Sequence, residues 1–333
     1  MRRLPRVAFE LVVVALVILA AGACSAPWSK PAAVSVTPSG DDYKTLGDAL
    51  GKIKDGGTIR LGAGTYRLRQ PLQIARSVHI IGGGKTIIQC AVGEYVVAFG
   101  SGLTCAVDNV AFVHTGAGAG DAVFDSGSRV DFTDCRFSGS IPGGHKGGMG
   151  LSFGEGAGGT VRNCQVTGNK SLGVFVNSST GVTIDSCTVQ GNGTGIGVMN
   201  GAVVATGNTV TNNKLGIYII GHSQVKLIGN TCSHDRLGGI RVEGTSTVTA
   251  RGNKCFSDTT SGILVTGSAR ATLVHNTTKG SIEGITFAGQ AGGSATKNRC
   301  DDRIYVMKGL HVKLSHNWQP AFYLPGLGQV TFH

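Results

Sequence analysis

The central part of the chain repeats one short phrase seven times. Each copy is Gly followed by an apolar residue, any residue and a second apolar residue. The copies begin at Gly150, Gly173, Gly195, Gly216, Gly239, Gly262 and Gly284, at spacings of 21 to 23 residues. A fixed period of this size, rich in β-branched residues and punctuated by Gly and Asn, indicates a solenoid in which each repeat is one coil.

Two solenoids have repeats of this length, the leucine-rich repeat and the parallel β-helix. A leucine-rich repeat needs Leu at fixed places and a helical segment in each repeat. Here Leu is sparse, and a second run of alternating apolar residues follows the phrase, as at residues 182–184 and 225–227. Alternation has the period of a strand, so the sequence predicts an all-β parallel β-helix of about ten coils.

Asparagine recurs in one slot of five successive repeats. The slot holds Asn208, Asn230, Asn253, Asn276 and Asn298, and in earlier repeats Cys135, Cys164 and Cys187. In-register residues of stacked strands lie about 4.8 Å apart, so side-chain amides on successive coils can hydrogen-bond to one another. We therefore expect an internal amide ladder. Ordinary turn residues would explain the residue type, but not its recurrence on five coils.

The repeat resembles the right-handed parallel β-helix of the pectin-lyase-like superfamily. The likeness lies in the Gly-Ile-x-Val phrase, a second strand and a Gly-Asn-x-Cys turn, and it extends from about residue 42 to residue 317. It implies a right-handed coil but no single activity, because lyases, hydrolases, epimerases, esterases and adhesins share this architecture. Residues 57–66 also resemble the first coils of pectin-esterase-like and periplasmic copper-site-maturation-like β-helices, without the later esterase motifs.

The amino terminus carries an export signal. Arg2, Arg3 and Arg6 precede an apolar run at residues 11–20, and small residues lead to Cys24. This order predicts a signal peptide at residues 1–23. Its end resembles a bacterial lipobox, in which the cysteine is lipidated; an ordinary secretory signal is the alternative. Residues 24–40, with Pro among Ser and Ala, predict an extended tether.

The remaining boundaries follow from local patterns. A capping helix is predicted within residues 41–56, opened at Thr45 by a variant capping box and covering the open end of the first coil. Its apolar face comprises Leu46, Ala49, Leu50 and Ile53. The β-helix is predicted at residues 57–317, and residues 318–333 should cover the last coil.

An insertion interrupts the regular period between the early and the central repeats. Residues 138–148 are rich in Gly and lengthen one period to 29 residues, counted from Cys135 to Cys164. An insertion in a solenoid loops out on one face, often the functional face. His145 and Lys146 in this loop are candidate ligand contacts.

The chain is strongly basic, with a formal net charge of +11. Removal of residues 1–23 takes three Arg and Glu10 with it, which leaves 27 basic and 18 acidic residues, or +9. Such a charge favours anionic polymers, such as uronate-containing polysaccharides, teichoic acids or lipid head groups. No nucleic-acid-binding motif is present in the sequence, so we expect no nucleic-acid partner. The signal and Cys24 predict an exported, membrane-anchored protein, which we expect to be a monomer.

Eight cysteines follow Cys24, and several share a slot on adjacent coils. Stacked spacing lies within the Cα range of a disulfide, but parallel side chains converge poorly, so buried free thiols are favoured over disulfides. No Cys-x-x-Cys motif or Cys and His spacing indicates zinc. We expect no metal and no cofactor.

The residues between the inward-facing apolar positions form two outer rows. The first row is Ser152, Phe175, Gly197, Tyr218, Arg241, Leu264 and Thr286; the second is Gly154, Asn177, Met199, Ile220, Glu243, Thr266 and Ala288. Glu243 is the only carboxylate in them. A calcium-dependent lyase needs several converging carboxylates and an inverting glycosidase needs two, so neither is predicted.

One cluster in these rows has the residue types of a uronate-modifying site. Its candidate catalytic residues are Tyr218, His222, Arg241 and Glu243, and its candidate substrate-binding residues are Lys214, His234, Arg236 and Asn177. In a metal-independent lyase or C5-epimerase, Arg would neutralise the uronate carboxylate and Tyr or His would move the C5 proton. The alternative is an exposed Arg–Glu ion pair on a non-catalytic structural or adhesin-like protein.

Overall fold

The computed structural model describes residues 30–143 and 146–320, together with two short strands beyond them. The predicted signal peptide, Cys24 and the first part of the tether lie outside the described residues. So do His145 and most of the predicted carboxyl-terminal cap. No helix in the described ranges is long and apolar enough to cross a membrane.

The described residues form one helix and many short strands. The helix is α1 (Asp42–Lys52), and the first eighteen strands are β1 (Ala33–Val36), β2 (Gly57–Leu61), β3 (Gly64–Leu68), β4 (Leu72–Ile74), β5 (Val78–Cys90), β6 (Tyr95–Phe99), β7 (Thr104–His114), β8 (Asp121–Asp125), β9 (Arg129–Thr133), β10 (Arg136–Ser138), β11 (Pro142–Gly143), β12 (Lys146–Gly147), β13 (Leu151–Phe153), β14 (Gly159–Arg162), β15 (Gln165–Thr167), β16 (Leu172–Asn177), β17 (Thr180–Asp185) and β18 (Thr188–Gln190). The later strands are β19 (Thr194–Met199), β20 (Ala202–Thr206), β21 (Thr209–Thr211), β22 (Leu215–Ile220), β23 (Gln224–Ile228), β24 (Thr231–Ser233), β25 (Ile240–Val242), β26 (Thr247–Arg251), β27 (Lys254–Phe256), β28 (Ser261–Val265), β29 (Arg270–Val274), β30 (Thr277–Lys279), β31 (Glu283–Phe287), β32 (Gly292–Thr296), β33 (Arg299–Cys300), β34 (Ile304–Val306), β35 (Val312–Ser315), β36 (Tyr323–Leu324) and β37 (Gly328–Gln329).

The strands stack in three parallel rows, which confirms the predicted β-helix. Sheet 1 contains 11 strands, ordered β4, β6, β8, β13, β16, β19, β22, β25, β28, β31 and β34. Sheet 2, which includes β14, β17, β20 and β23, and sheet 3, which includes β15, β18, β21 and β24, join because the long strands β5 and β7 pair in both. The predicted count of ten coils is slightly low, since sheet 1 alone has 11 strands, one on each coil.

The inward-facing side chains of the three sheets form one continuous apolar core. In sheet 1 the column Val174, Ile196, Ile217, Ile240 and Ile263 is fully or almost fully buried. Each such side chain contributes roughly 1.5–3 kcal/mol when it leaves water. The same contribution recurs on every coil, which explains why the repeat tolerates variation elsewhere.

The predicted asparagine ladder is confirmed. Each Nδ2 donates to the Oδ1 of the next coil, at 2.9 Å from Asn208 to Asn230 and at 3.0 Å on each of the next three steps to Asn298. Asn317 extends the ladder by one further step, at 2.9 Å. Each amide from Asn208 to Asn298 also donates to a backbone carbonyl, so these buried polar groups are satisfied inside the core.

A second buried ladder was not predicted. It runs where sheet 3 turns into sheet 1, from Asn169 through Asn192 and Asn213 to Asp235, with Nδ2 to Oδ1 distances of 3.0, 3.1 and 3.2 Å. The backbone N–H of Asp235 then donates to Oδ1 of Asp258 at 3.0 Å. Asp235 lies between β24 and β25, and its side chain is fully buried in the core.

The amino-terminal end differs from the prediction at two points. The helix begins at Asp42 rather than at Thr45, because the Asp41 carboxylate accepts the N–H of Lys44 and so caps the helix three residues earlier. Its predicted apolar face is confirmed as buried. Part of the predicted tether is also strand β1, whose residues pair in parallel with β2 and extend sheet 2.

All eight cysteines of the described chain are buried and free, which confirms the prediction of thiols rather than disulfides. Cys232 and Cys255 lie directly in register on β24 and β27. Burial raises the pKa of Cys105 and Cys300 to about 11. These thiols therefore serve as small apolar fillers of the core.

Candidate functional site

The predicted outer rows lie on the solvent side of sheet 1. The strand registers align Ser152, Phe175, Gly197, Tyr218, Arg241, Leu264 and Thr286 in one row. The register also adds Phe124 before Ser152, one coil earlier than the predicted row began. We call this the outer row of sheet 1.

The structure brings three of the four candidate catalytic residues together. The Tyr218 hydroxyl donates to Oε2 of Glu243 at 2.6 Å, and Nε of Arg241 donates to Oε1 of the same carboxylate at 2.6 Å. Nη2 of Arg241 contacts Oε1 as well, and the guanidinium lies 5.9 Å from the centre of the Tyr218 ring. Glu243 thus holds both neighbours in fixed positions.

The charges of this cluster favour binding over proton abstraction. Burial, followed by the hydrogen bond to Glu243, raises the pKa of Tyr218 to about 12. A phenol with such a pKa keeps its proton at neutral pH and is a poor general base. Arg241 is 38% exposed at its side chain, and a guanidinium has five N–H donors, so the donors that Glu243 does not use can reach a ligand.

His222 lies beyond the end of β22, apart from this hydrogen-bonded trio. Its backbone N–H donates to Oδ1 of Asn200 at 3.0 Å, and its ring hydrogen-bonds to the Thr245 hydroxyl. The position fits a ligand contact at the edge of sheet 1 better than a partner for Tyr218.

The four candidate substrate-binding residues occupy two different edges of sheet 1. Lys214, His234 and Arg236 are exposed at the turns that lead from sheet 3 into sheet 1, close in sequence to β22 and β25. Asn177 lies at the opposite end of its strand, three coils before Glu243, or about 14 Å away along the helix axis. The first three can act with Tyr218 and Arg241, whereas Asn177 can reach only a ligand that extends along the sheet.

Aromatic rings occupy alternate positions of the outer row. Phe124, Phe175 and Tyr218 are partly exposed, and the small residues Ser152 and Gly197 separate them. Two coils separate successive rings, so they recur at about 10 Å. This is a periodic apolar surface for a ligand that has its own repeat.

A cavity of about 280 Å³ opens at the early coils, at the edge of sheet 1. Glu94, Tyr95, Asp121 and Phe124 line it, together with backbone of the insertion at Gly143 and Gly147. The insertion contains the antiparallel pair β11 and β12, whose residues Gly143 and Gly147 lie at the cavity.

The cavity brings two carboxyl groups to the edge of sheet 1 that the predicted rows do not contain. Glu94 directly precedes β6 and Asp121 begins β8, outside both rows, so Glu243 remains the only carboxylate in them. Burial raises the pKa of Asp121 to about 6. The signal available in the sequence was the slot-by-slot alignment of residues 121–125 with the later glycine phrases.

No three His, Cys, Asp or Glu side chains come together in a metal-binding arrangement within the described chain. The carboxyl groups of Glu94 and Asp121 lack a third ligand of that kind among these residues.

Comparison with known proteins places the fold. Residues 76–232 match the family model "Right handed beta helix region", and residues 202–319 match the model "Periplasmic copper-binding protein (NosD)". No curated protein sequence matches the chain significantly.

Solved structures of similar fold belong to proteins with different activities. A pectate lyase, Pel9A, is 12% identical with a TM-score of 0.55, covering 87% of this chain and 80% of its own. The A-module of the Azotobacter vinelandii mannuronan C-5 epimerase AlgE6 is 16% identical with a TM-score of 0.52, covering 86% of this chain and 97% of its own. The periplasmic alginate epimerase AlgG is 12% identical with a TM-score of 0.52, covering 86% of this chain and 84% of its own. The chain is therefore a right-handed parallel β-helix protein with the pectate-lyase-like fold.

Proposed function

We propose that the protein binds an extended polysaccharide along the outer row of sheet 1. The observation that carries this proposal is the alternation of Phe124, Phe175 and Tyr218 with small residues on successive coils. Sugar rings present apolar faces that pack on aromatic side chains, and the spacing of about 10 Å is close to the length of two sugar units in an extended chain. The polysaccharide-acting proteins of similar fold support the same ligand class.

The ligand is proposed to carry uronate groups where it passes Arg241. The guanidinium is fixed by Glu243 and has outward-facing donors, and Lys214 and Arg236 are exposed on the adjoining turns. Together these three cations give the later coils a positive edge that a carboxylate would approach. Arg–carboxylate hydrogen bonds are charge-assisted and stronger than neutral ones, which supports selection of an acidic glycan.

Binding is proposed as the main activity, with lyase or epimerase chemistry as the second candidate. Abstraction of the C5 proton would require Tyr218 to lose its own proton, and its pKa of about 12 opposes this at neutral pH. A ligand that displaced Glu243 from the phenol would weaken that opposition, because the carboxylate is one cause of the raised pKa.

Export of the protein and lipidation of Cys24 complete the proposal. The NosD family and the epimerase AlgG are periplasmic, and this similarity supports an exported location. A lipid at Cys24 would anchor the β-helix in the cell envelope, close to acidic polymers. Loss of membrane association in a Cys24→Ser variant would support the anchor, and unchanged association would contradict it.

The binding proposal can be tested with purified full-length protein and a panel of alginate, pectate, glycosaminoglycans and neutral glucans. Phe175→Ala and Tyr218→Ala should each weaken binding of the preferred acidic polymer by about tenfold, equivalent to about 1.4 kcal/mol. Trp318→Ala is the matched control, since this residue is 50% exposed but its backbone bridges to Arg299 in β33 of sheet 3, away from the outer row of sheet 1. Equal losses in all three variants, or binding to no polymer of the panel, would refute the proposal.

The same samples separate binding from catalysis. Absorbance of unsaturated uronate reports lyase cleavage, and proton exchange at C5 in deuterated water reports epimerisation. Product formation that disappears in Tyr218→Phe would establish the enzyme, whereas binding without either signal would establish a binding protein.

A further inference from the structure

The cavity beside Glu94 and Asp121 differs in chemistry from the rest of sheet 1. Tyr95 and Phe124 form its apolar wall, with ring centres 6.5 Å apart and ring planes inclined by 25°. The two rings lie nearly parallel on neighbouring strands, and both contribute apolar surface to the cavity lining. A pyranose ring can lie on such a surface through its C–H bonds.

The polar groups of the cavity are carboxyl groups, and they are positioned by the backbone. Asp121 is only 6% exposed, and one of its oxygens, Oδ1, accepts the N–H of Met149 at 2.9 Å. Glu94 directly precedes Tyr95, and its carbonyl accepts the N–H of Asp121 at 2.8 Å. Among the described residues that line the cavity, Glu94 and Asp121 are the acidic ones and none is basic. Carboxylates accept hydrogen bonds from sugar hydroxyls but repel the carboxylate of a uronate.

The opposite wall is made of backbone and small residues. Gly120 lines the cavity, and a Cβ at this position would lie 2.6 Å from Nε2 of the buried His114 and 2.9 Å from the carbonyl oxygen of Gly93. Gly143 and Gly147 of the insertion complete the wall. The resulting volume of about 280 Å³ is just below the usual range for ligand pockets, which begins near about 300 Å³, and it suits one sugar ring rather than several.

We propose that this cavity is a subsite for one uncharged pyranose residue. Tyr95 and Phe124 pack against its apolar face, and Glu94 and Asp121 accept hydrogen bonds from its hydroxyls. The inference rests on the proposed function in one respect: the ring belongs to the same polysaccharide that passes Tyr218. Phe124 and Tyr218 are four coils apart, or about 19 Å, so the ligand would combine a neutral unit with uronate units further along.

Isothermal titration of full-length protein with short neutral oligosaccharides, covering gluco-, manno-, galacto- and xylo-configured pyranoses, tests the subsite. At least one should bind saturably, and Tyr95→Ala and Asp121→Asn should each weaken it by about tenfold or more. Asn at position 121 keeps an acceptor for the Met149 N–H, and Tyr95→Ala removes the apolar wall without touching that bond, so the two variants test different contacts. Circular dichroism melting curves show whether each variant is folded.

Phe175→Ala, two coils away from Phe124, is the matched control that separates this inference from the proposed function. It should weaken binding of the long acidic polymer and leave binding of short neutral oligosaccharides unaffected, whereas Tyr95→Ala should weaken binding of the short neutral oligosaccharides. Saturable neutral binding that both Tyr95→Ala and Asp121→Asn leave unchanged would overturn the subsite, as would tighter binding of short uronates than of any neutral sugar. Absence of saturable binding by every neutral sugar would overturn it as well, even where the acidic polymer binds.

Discussion

The second buried ladder predicts an unusual dependence of stability on pH. Its asparagines donate to backbone carbonyls, as Nδ2 of Asn213 does to Val189 at 3.2 Å. In Asp235 and Asp258 the corresponding atom is Oδ2, which lacks a hydrogen-bond partner among the described residues. An oxygen can donate there only when it is protonated. Burial raises the pKa of Asp235 to about 7 and that of Asp258 to about 8.

Because the pKa values of these two carboxyl groups are raised by folding, the protein should lose stability as the pH rises. A carboxyl group with a raised pKa in the folded protein binds a proton more tightly there than in the unfolded chain, so stability is fully present at low pH and falls as pH rises towards the folded pKa. For Asp258 the ordinary value is 3.8, so at pH 7 the unfolded group is ionised and the folded group is protonated. A difference of about three pH units is equivalent to on the order of 4 kcal/mol.

The variant Asp258→Asn removes this cost. Its Nδ2 would face the carbonyl of Cys232, which lies two coils after Val189, the acceptor of Asn213, and would supply the missing donor. We expect roughly 2–4 kcal/mol of added stability at pH 7 and little change at pH 4. Calorimetry should record a melting temperature at pH 7 that is higher by at least about 4 °C.

The exposed Asp48 provides the matched control, since Asp48→Asn changes the same group on the surface of α1. This variant should keep the pH dependence of the wild-type protein. The reasoning would be refuted if Asp258→Asn destabilised the protein at pH 7, or if its gain at pH 4 equalled its gain at pH 7.

Three further predictions concern the first ladder, the Tyr218–Glu243 hydrogen bond and the buried cysteines. Asn253→Ala removes one step of the first ladder and leaves neighbouring buried groups unpaired, so the free energy of unfolding in chemical denaturation should fall by about 2–4 kcal/mol. The exposed Lys254→Ala should change it little, and equal effects of the two variants would contradict the ladder. Glu243→Gln removes the carboxylate that helps to raise the pKa of Tyr218, so ultraviolet titration should show this phenol ionising below its present pKa of about 12; an unchanged titration would contradict the hydrogen bond. The eight buried cysteines, Cys232 among them, should react with a thiol reagent only after unfolding, and rapid reaction of any of these eight in the native protein would contradict their burial.

Much of the architecture could be predicted because each coil repeats the same physical problem. Asn253 and its neighbours recur with the same residue type at a fixed interval. An amide can stay buried on so many coils only when it hydrogen-bonds to the amides of the coils above and below. The inward column that contains Ile217 is equally regular. Both the ladder and the apolar column can be predicted from the repeat period alone, and that period can be read directly from the sequence.

The second ladder was hidden because its residue type changes along the chain. Asn213 and Asp235 stand in runs of polar residues, which are typical of solvated turns. Their burial depends on how the corner between sheets 3 and 1 closes, and the local sequence does not encode this. Strand β1 was hidden for a similar reason: its composition is that of a tether, and pairing with β2 overrides that composition.

The cavity was missed because the insertion at residues 138–148 breaks the period. Residues 123–125 read Val-Phe-Asp and lack the leading glycine of later repeats, so Phe124 was not assigned to the outer row. The grouping of Tyr95 with Asp121 depends on the register between β6 and β8, two strands that precede the first glycine phrase. Tyr218, Arg241 and Glu243 could be grouped because they lie on regular coils.

The central claim is that a polysaccharide lies along the outer row of sheet 1, and hydrogen exchange with and without a saturating acidic polymer tests it most directly. Amides of β16, β19 and β22 should exchange more slowly in the complex, while those of β17, β20 and β23 on sheet 2 should be unaffected. Protection confined to sheet 2 or sheet 3, or spread evenly over all three sheets, would contradict the account.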